Sequence, residues 1–191
     1  IQASRTRART GPSGEPVLLL DQDRRQWDRL LIRRGLAALE RAEALGGAFG
    51  PYTLQAAIAA CHAQARSVQD TDWRRVAALY TVLAHVVPSP VIAVNRAVAV
   101  GMADGPARGL DLLDRLVDEP ALADYPPLPA ARATFLRRVG RIDEARAEFE
   151  RAANRTGNDA ERRLYRRQAR NLQNQSQSWS PLTPGRSSGQ G

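Results

Sequence analysis

Apolar positions recur at three- and four-residue steps along most of the chain, and the breaks between these runs carry proline and glycine. In the clearest run Trp73, Val76, Ala77, Tyr80, Leu83, Ala84 and Val87 form one stripe of a helix. Gly50-Pro51, Ser89-Pro90 and Gly105-Pro106 each place proline where a helix can begin, because the first helical residue has no intrahelical use for its N–H. Asn158, with Glu161 three residues later, has the spacing of a capping box. These marks predict eight helices, at about 24–46, 51–67, 72–86, 90–103, 106–118, 128–139, 142–156 and 159–172. In the first, Trp27, Leu31, Ala38, Ala42 and Leu45 share one side while Ile32, Leu36 and Leu39 share another, as expected of a helix buried on two sides. The connections are short, which makes successive helices antiparallel neighbours.

An internal repeat extends this pattern. A displacement of 36 residues superposes Arg96 on Arg132, Ala97 on Ala133, Val100 on Leu136, Gly109 on Ala145, Leu113 on Phe149 and Leu116 on Ala152. The second copy, LRRVGRIDEARAEFERA, has the spacing of small and large residues found in tetratricopeptide-like hairpins, in which the small positions allow close approach of paired helices. The expected fold is all-α, with antiparallel helical hairpins stacked as a TPR-like right-handed solenoid over residues 16–172. Residues 1–15 lack sustained periodicity and read as a linker or the stump of an upstream element. Residues 173–191 read as a disordered tail, too polar to offset their ordering entropy by burial.

Composition supports the helical reading: aromatics are 5% of the chain against 43% hydrophobic residues overall, so the core must come from closely spaced helices rich in alanine. The single cysteine, Cys61, rules out an internal disulfide framework, and no apolar run is long enough for a transmembrane helix. No secretory leader follows Arg5, Arg7 and Arg9, so the expected location is cytoplasmic, with no membrane partner. Ile1 in place of methionine suggests a piece of a longer protein. All 28 basic residues are arginine, and the net +8 divides into +4 for residues 1–69, −3 for 70–125, +6 for 126–170 and +1 beyond.

Candidate chemistry is sparse. Cys61 and His62 are neighbours and point about 100° apart on a helix, so they cannot act as a nucleophile and base pair with each other. His85 is the only other histidine, and no motif supplies further metal ligands. GMADGPARG lies between helices rather than after a strand, which argues against a phosphate loop. Among Asp21, Asp23 and Asp28, Asp21 or Asp23 is expected to serve as an N-cap or first-turn acid of the first helix. These readings predict a protein that is not an enzyme and uses no cofactor or metal. In the last helix Arg162, Arg166 and Arg170 fall on one line and Arg163 and Arg167 on the next, a like-charge spacing that calls for compensating anions. Glu144, Glu148 and Glu150 could supply them, or else nucleic-acid phosphate or an acidic protein surface.

Four strings in order, LLLDQDRRQWDRLLI, GPYTLQAAIAACHAQA, TDWRRVAALYTVL and PSPVIAVNRAVAV, resemble the tetratricopeptide-like C-terminal extension of a group of bacterial extracytoplasmic-function sigma factors. The resemblance covers about residues 4–170. It implies a regulatory module in transcription initiation that docks on the sigma core regions, RNA polymerase or a regulator. The sigma regions that read promoter DNA have no counterpart here. A groove between stacked helices would be the docking face, with Trp27, Tyr52, Gln55, His62, Trp73, Asn95 and Arg96 as candidate contacts. Trp27, Tyr52 and Trp73 also suit core anchors, and Asn95 and Arg96 suit an internal polar network. Two other readings remain beside this one: a nucleic-acid contact through the arginines of the last helix, and a small-molecule-sensing pocket that includes Gln55, His62 and Arg96.

Overall fold

The structure, a computed structural model, describes residues 1–12 and 14–178, with side chains through Asn174. Among the described residues there is no β-strand; an isolated bridge pairs Thr10 with Pro16. Eight α-helices follow one another: α1 (Arg29–Ala44), α2 (Pro51–Gln64), α3 (Trp73–Val86), α4 (Pro90–Asp104), α5 (Pro106–Asp114), α6 (Pro127–Arg138), α7 (Ile142–Arg155) and α8 (Asp159–Ser178). Short 3₁₀ segments lie at Gln2–Arg9, Leu19–Asp21, Arg24–Gln26 and Pro120–Leu122. Proline opens α2, α4 and α5, as expected from its missing N–H and fixed φ.

Each helix packs mainly on the next in sequence. The pair α4–α5 shows how close this packing becomes. A Cβ on Gly109 would stand 2.6 Å from the Cα of Gly101, and a Cβ on Gly101 would stand 2.3 Å from the Phe135 ring. Only glycine at both positions lets the two backbones touch and seats Phe135 over the crossing. The turn between them is Gly105 at φ 110°, a conformation that L side chains rarely adopt. The 36-residue repeat is mirrored in burial: Ala97 and Ala133, Gly109 and Ala145, and Leu113 and Phe149 are all buried. One apolar cluster runs through α4–α8 and includes Val94, Leu110, Leu136, Ala152, Tyr165 and Leu172. Burial of a side chain such as Phe135 contributes about 2–3 kcal/mol.

Three parts of the expected layout differ. The first helix starts at Arg29 rather than near residue 24, because Asp28 is its N-cap and accepts from the N–H groups of Leu30 and Leu31 at 2.9 and 3.0 Å. Asp23 instead caps the 3₁₀ turn Arg24–Gln26, and Trp27 is the extended residue between the two caps. Residues 1–15 are more than a linker: Gln2–Arg9 forms a 3₁₀ segment whose Ser4 and Ala8 are buried, and the Asp28 N–H donates to the Ser4 carbonyl. Residues 173–178 continue α8 instead of opening the tail, and the expected tail from 179 to 191 lies outside the described residues.

Candidate interaction surfaces

Four of the seven candidate groove residues are spread around the helices, while Trp27, His62 and Trp73 gather about one buried arginine. Arg24 lies almost fully buried at the C-terminal end of α2, where the last carbonyls of the helix have no intrahelical donors. Its Nη1 donates to the carbonyls of His62 and Ala65 at 2.8 and 3.1 Å, and its Nη2 to the Thr71 hydroxyl at 2.9 Å. Its guanidinium carbon stands 5.3 Å from the Trp27 ring centre, with Arg5 at 5.7 Å. His62 meets Trp73 edge to face, ring centres 5.2 Å apart, and the Trp73 indole N–H donates to the Val68 carbonyl at 2.9 Å. Burial lowers the His62 pKa to about 4, helped by the nearby positive charges of Arg24 and Arg5. The imidazole is therefore neutral at pH 7. Burial also pushes the Cys61 thiol up, which keeps it protonated and a poor nucleophile. This cluster closes a helix end; it does not present a reactive pair. Beside it, a cleft of about 800 Å³ opens between Ala3, Ser4 and Arg7 on one side and Gln26, Trp27 and Leu31 on the other.

Tyr52 and Gln55 lie elsewhere. Tyr52, in the first turn of α2, is 85% exposed, and the α1–α2 connection just before it holds Leu45 at 87% and Phe49 at 71%, so three large apolar side chains within eight residues stand in water. Leu30 and Leu31 add exposed apolar surface along α1. Such a concentration is characteristic of an interaction surface. Gln55 is exposed one turn along α2.

Asn95 and Arg96 are half-buried in α4, and neither side chain makes a hydrogen bond or ion pair among the described residues. The repeat explains why for Arg96. Its equivalent, Arg132, is held by Asp114 at 2.8 Å and by the buried Glu148 at 2.6 Å, and Glu148 also accepts from Arg151 at 2.9 Å. The positions 36 residues before those two acids are Ala78 and Leu112, so the first copy keeps the cation and lacks its counter-ions.

The α8 arginines divide. Arg162 is tied inward by Asp159 and by the Thr156 carbonyl at 2.8 Å, where it caps the end of α7. Asn158 accepts from the N–H groups of Ala160 and Glu161 at 2.9 and 3.2 Å. Glu161 reaches the Thr156 hydroxyl rather than the Asn158 N–H, which makes the capping box a relay. Arg163, Arg166, Arg167 and Arg170 are exposed and make no ion pair among the described residues. The acids expected to balance them are occupied: Glu144 by Arg141, Glu148 by Arg132 and Arg151, and Glu150 by Arg146.

Among the described residues no group of three His, Cys, Asp or Glu side chains could hold a metal ion, and no helix is long and apolar enough to cross a membrane. Arg24 and the exposed Leu45 and Phe49 escaped the sequence reading. Arg24 looks like one more charge in DQDRR, and only its distance to carbonyls nearly 40 residues away reveals its part.

Comparison with known proteins adds relatives without an assigned activity. Residues 1–43 match a family described as a family of unknown function, DUF6596. The chain is also 41% identical over 172 residues to an uncharacterized protein of Rhizobium meliloti (strain 1021), an alignment that covers 90% of this chain and 40% of that protein. The chain thus spans less than half the length of that curated relative. No solved structure matches it.

Proposed function

We propose that this chain is a non-enzymatic docking module of a sigma-factor-type transcription regulator, built as a TPR-like right-handed stack of helical hairpins. The observation that carries the docking role is the apolar turn of Leu45, Phe49 and Tyr52, exposed at 87, 71 and 85%. Water-exposed aromatic and aliphatic groups at such density are the anchors of protein interfaces, where their burial supplies most of the binding energy. The transcriptional setting rests on the four ordered strings that resemble the extension of extracytoplasmic-function sigma factors. The partner in this reading is the sigma core or RNA polymerase, in the cytoplasm. Arg96, half-buried and without a counter-ion among the described residues, is suited to take a carboxylate from a partner.

The test is capture of purified RNA polymerase and of sigma core regions by the chain, with Leu45→Ser, Phe49→Ser and Tyr52→Ser combined. The variant should lose capture while its helical content stays intact. In parallel, promoter-dependent transcription by the longer protein should change when this segment is removed at equal protein level. No capture by the intact chain, together with unchanged transcription, would discard the reading.

A further inference from the structure

We infer that the outer face of α8 is a binding surface for the phosphate backbone of duplex DNA. This goes beyond the docking role above and does not depend on it, since it concerns a different helix and a different partner. Arg163, Arg166, Arg167 and Arg170 lie at three- and four-residue steps and form one exposed row, while Leu164, Tyr165, Ala169 and Leu172 on the opposite side are buried. Like charges at these steps repel one another along the helix. Neighbouring acids do not relieve them, because Glu144, Glu148 and Glu150 are each committed to arginines of α6 and α7 or of the α6–α7 turn. Asp159 is taken by Arg162 and Glu161 by Thr156. Four unneutralised guanidinium groups on one helix face therefore remain open to an external polyanion.

The rest of that face decides which polyanion. Beyond the arginines it continues with Asn171, Gln173 and Asn174, all exposed. It carries donors and no apolar side chain. A protein partner would need an aromatic or aliphatic anchor to desolvate, and this face supplies none. Single-stranded nucleic acid would need exposed aromatics for stacking, and the one tyrosine of the helix, Tyr165, is buried. A duplex backbone needs only positive charge and hydrogen-bond donors in a row. From Arg163 to Arg170 the helix rises about 10 Å, over which duplex DNA presents about six phosphate charges. Guanidinium groups match phosphate oxygens two at a time. Binding through the backbone alone is independent of base sequence and steeply dependent on salt.

Fluorescence anisotropy of a short mixed-sequence DNA duplex, titrated with the full chain over about 50 to 200 mM salt, tests this directly. The intact chain should bind, and Arg163→Gln, Arg166→Gln, Arg167→Gln and Arg170→Gln combined should flatten the log–log salt slope by about 3 to 4 and weaken low-salt binding by about 100-fold or more. A charge-matched control, with Arg29, Arg33, Arg34 and Arg41 of α1 changed to Gln, should alter the slope by less than about one. Lysine at the same four α8 positions should keep the slope, which separates loss of charge from loss of structure. Equal losses in the α8 and α1 variants would reduce the effect to net charge and overturn the proposal. So would absence of duplex binding by the intact chain, or binding of a polyglutamate probe to the α8 face while the duplex does not bind.

Discussion

Helices α4 to α8 share one continuous apolar cluster, in which glycine contacts and duplicated alanines set the spacing, and their exposed large hydrophobic residues are isolated valines, Val91, Val117 and Val139. From Gln2 to the end of α2 the packing breaks into smaller clusters that share Ile1 and Leu36, with the buried Arg24 guanidinium bonded to the end of α2. Here Gln22 Oε1, Arg24 Nε, Trp27 Nε1 and His62 Nδ1 are buried without hydrogen-bond partners among the described residues, against Glu148 Oε2 in the later helices. A buried polar atom left without a partner costs stability. The same early region also holds Leu30, Leu31, Leu45, Phe49 and Tyr52 at the surface. The contrast separates a region with continuous internal packing from one that leaves large apolar side chains exposed, with α3 between them.

The largest effect expected from breaking this contrast lies in the scaffold. Gly109→Val should destabilise the protein by about 3–4 kcal/mol, seen in chemical denaturation, because its side chain would enter the Gly101 backbone and the Phe135 ring. In most helices removal of a glycine stabilises; here the sign reverses. If the variant were as stable as the parent, the close α4–α5 contact would be refuted.

The next effect is a pH dependence located in the early region. His62 has its folded pKa lowered from 6.5 to about 4, chiefly by burial, so between these values the unfolded chain takes up a proton that the folded one does not. Stability is therefore fully present above about pH 6.5 and falls by about 3 kcal/mol as pH drops to about 4. His62→Phe keeps a ring against Trp73 and removes the titration, so its stability curve should be flatter than the parent's over that window. Parallel curves would show that His62 is not held neutral.

Arg24→Met should cost about 2 kcal/mol, since the carbonyls of His62 and Ala65 lose their donor while the methionine stem still packs on Trp27. Its damage should be confined to residues 1–73, with α6 and α7 unaffected by amide exchange; a uniform loss would erase the division between regions. The smallest effect runs the other way. Replacing Arg163, Arg166, Arg167 and Arg170 with Gln removes five like-charge pairs at helical spacing, one of them with Arg162, and should stabilise by about 1 kcal/mol, measured as a raised Tm.

How far the sequence speaks depends on the range of the interaction. Proline at the starts of α2, α4 and α5 and the apolar stripe of α3 are local signals, and the helices fall where these place them. The repeat is legible because close helix contacts demand small residues at fixed intervals, as at Gly109 and Ala145. The start of α1 is misplaced by the sequence because DQDRRQWD offers three aspartates able to cap; the local signal favours Asp21 or Asp23, whereas Asp28 caps α1 beside the buried Trp27. Tyr52 has the composition of a core anchor, yet its place in the first turn of α2 leaves it 85% exposed among the described residues. Charge partnerships were least legible. Glu148 is three residues from Arg151 and across a hairpin from Arg132, and nothing local says it serves these two rather than α8.

The division between regions is tested most directly by native-state hydrogen exchange on the full chain. The account predicts that amides of α1 exchange through local openings at free energies well below that of global unfolding, while those of α6 and α7 exchange only with global unfolding. Equal protection of α1 and α6 would contradict it.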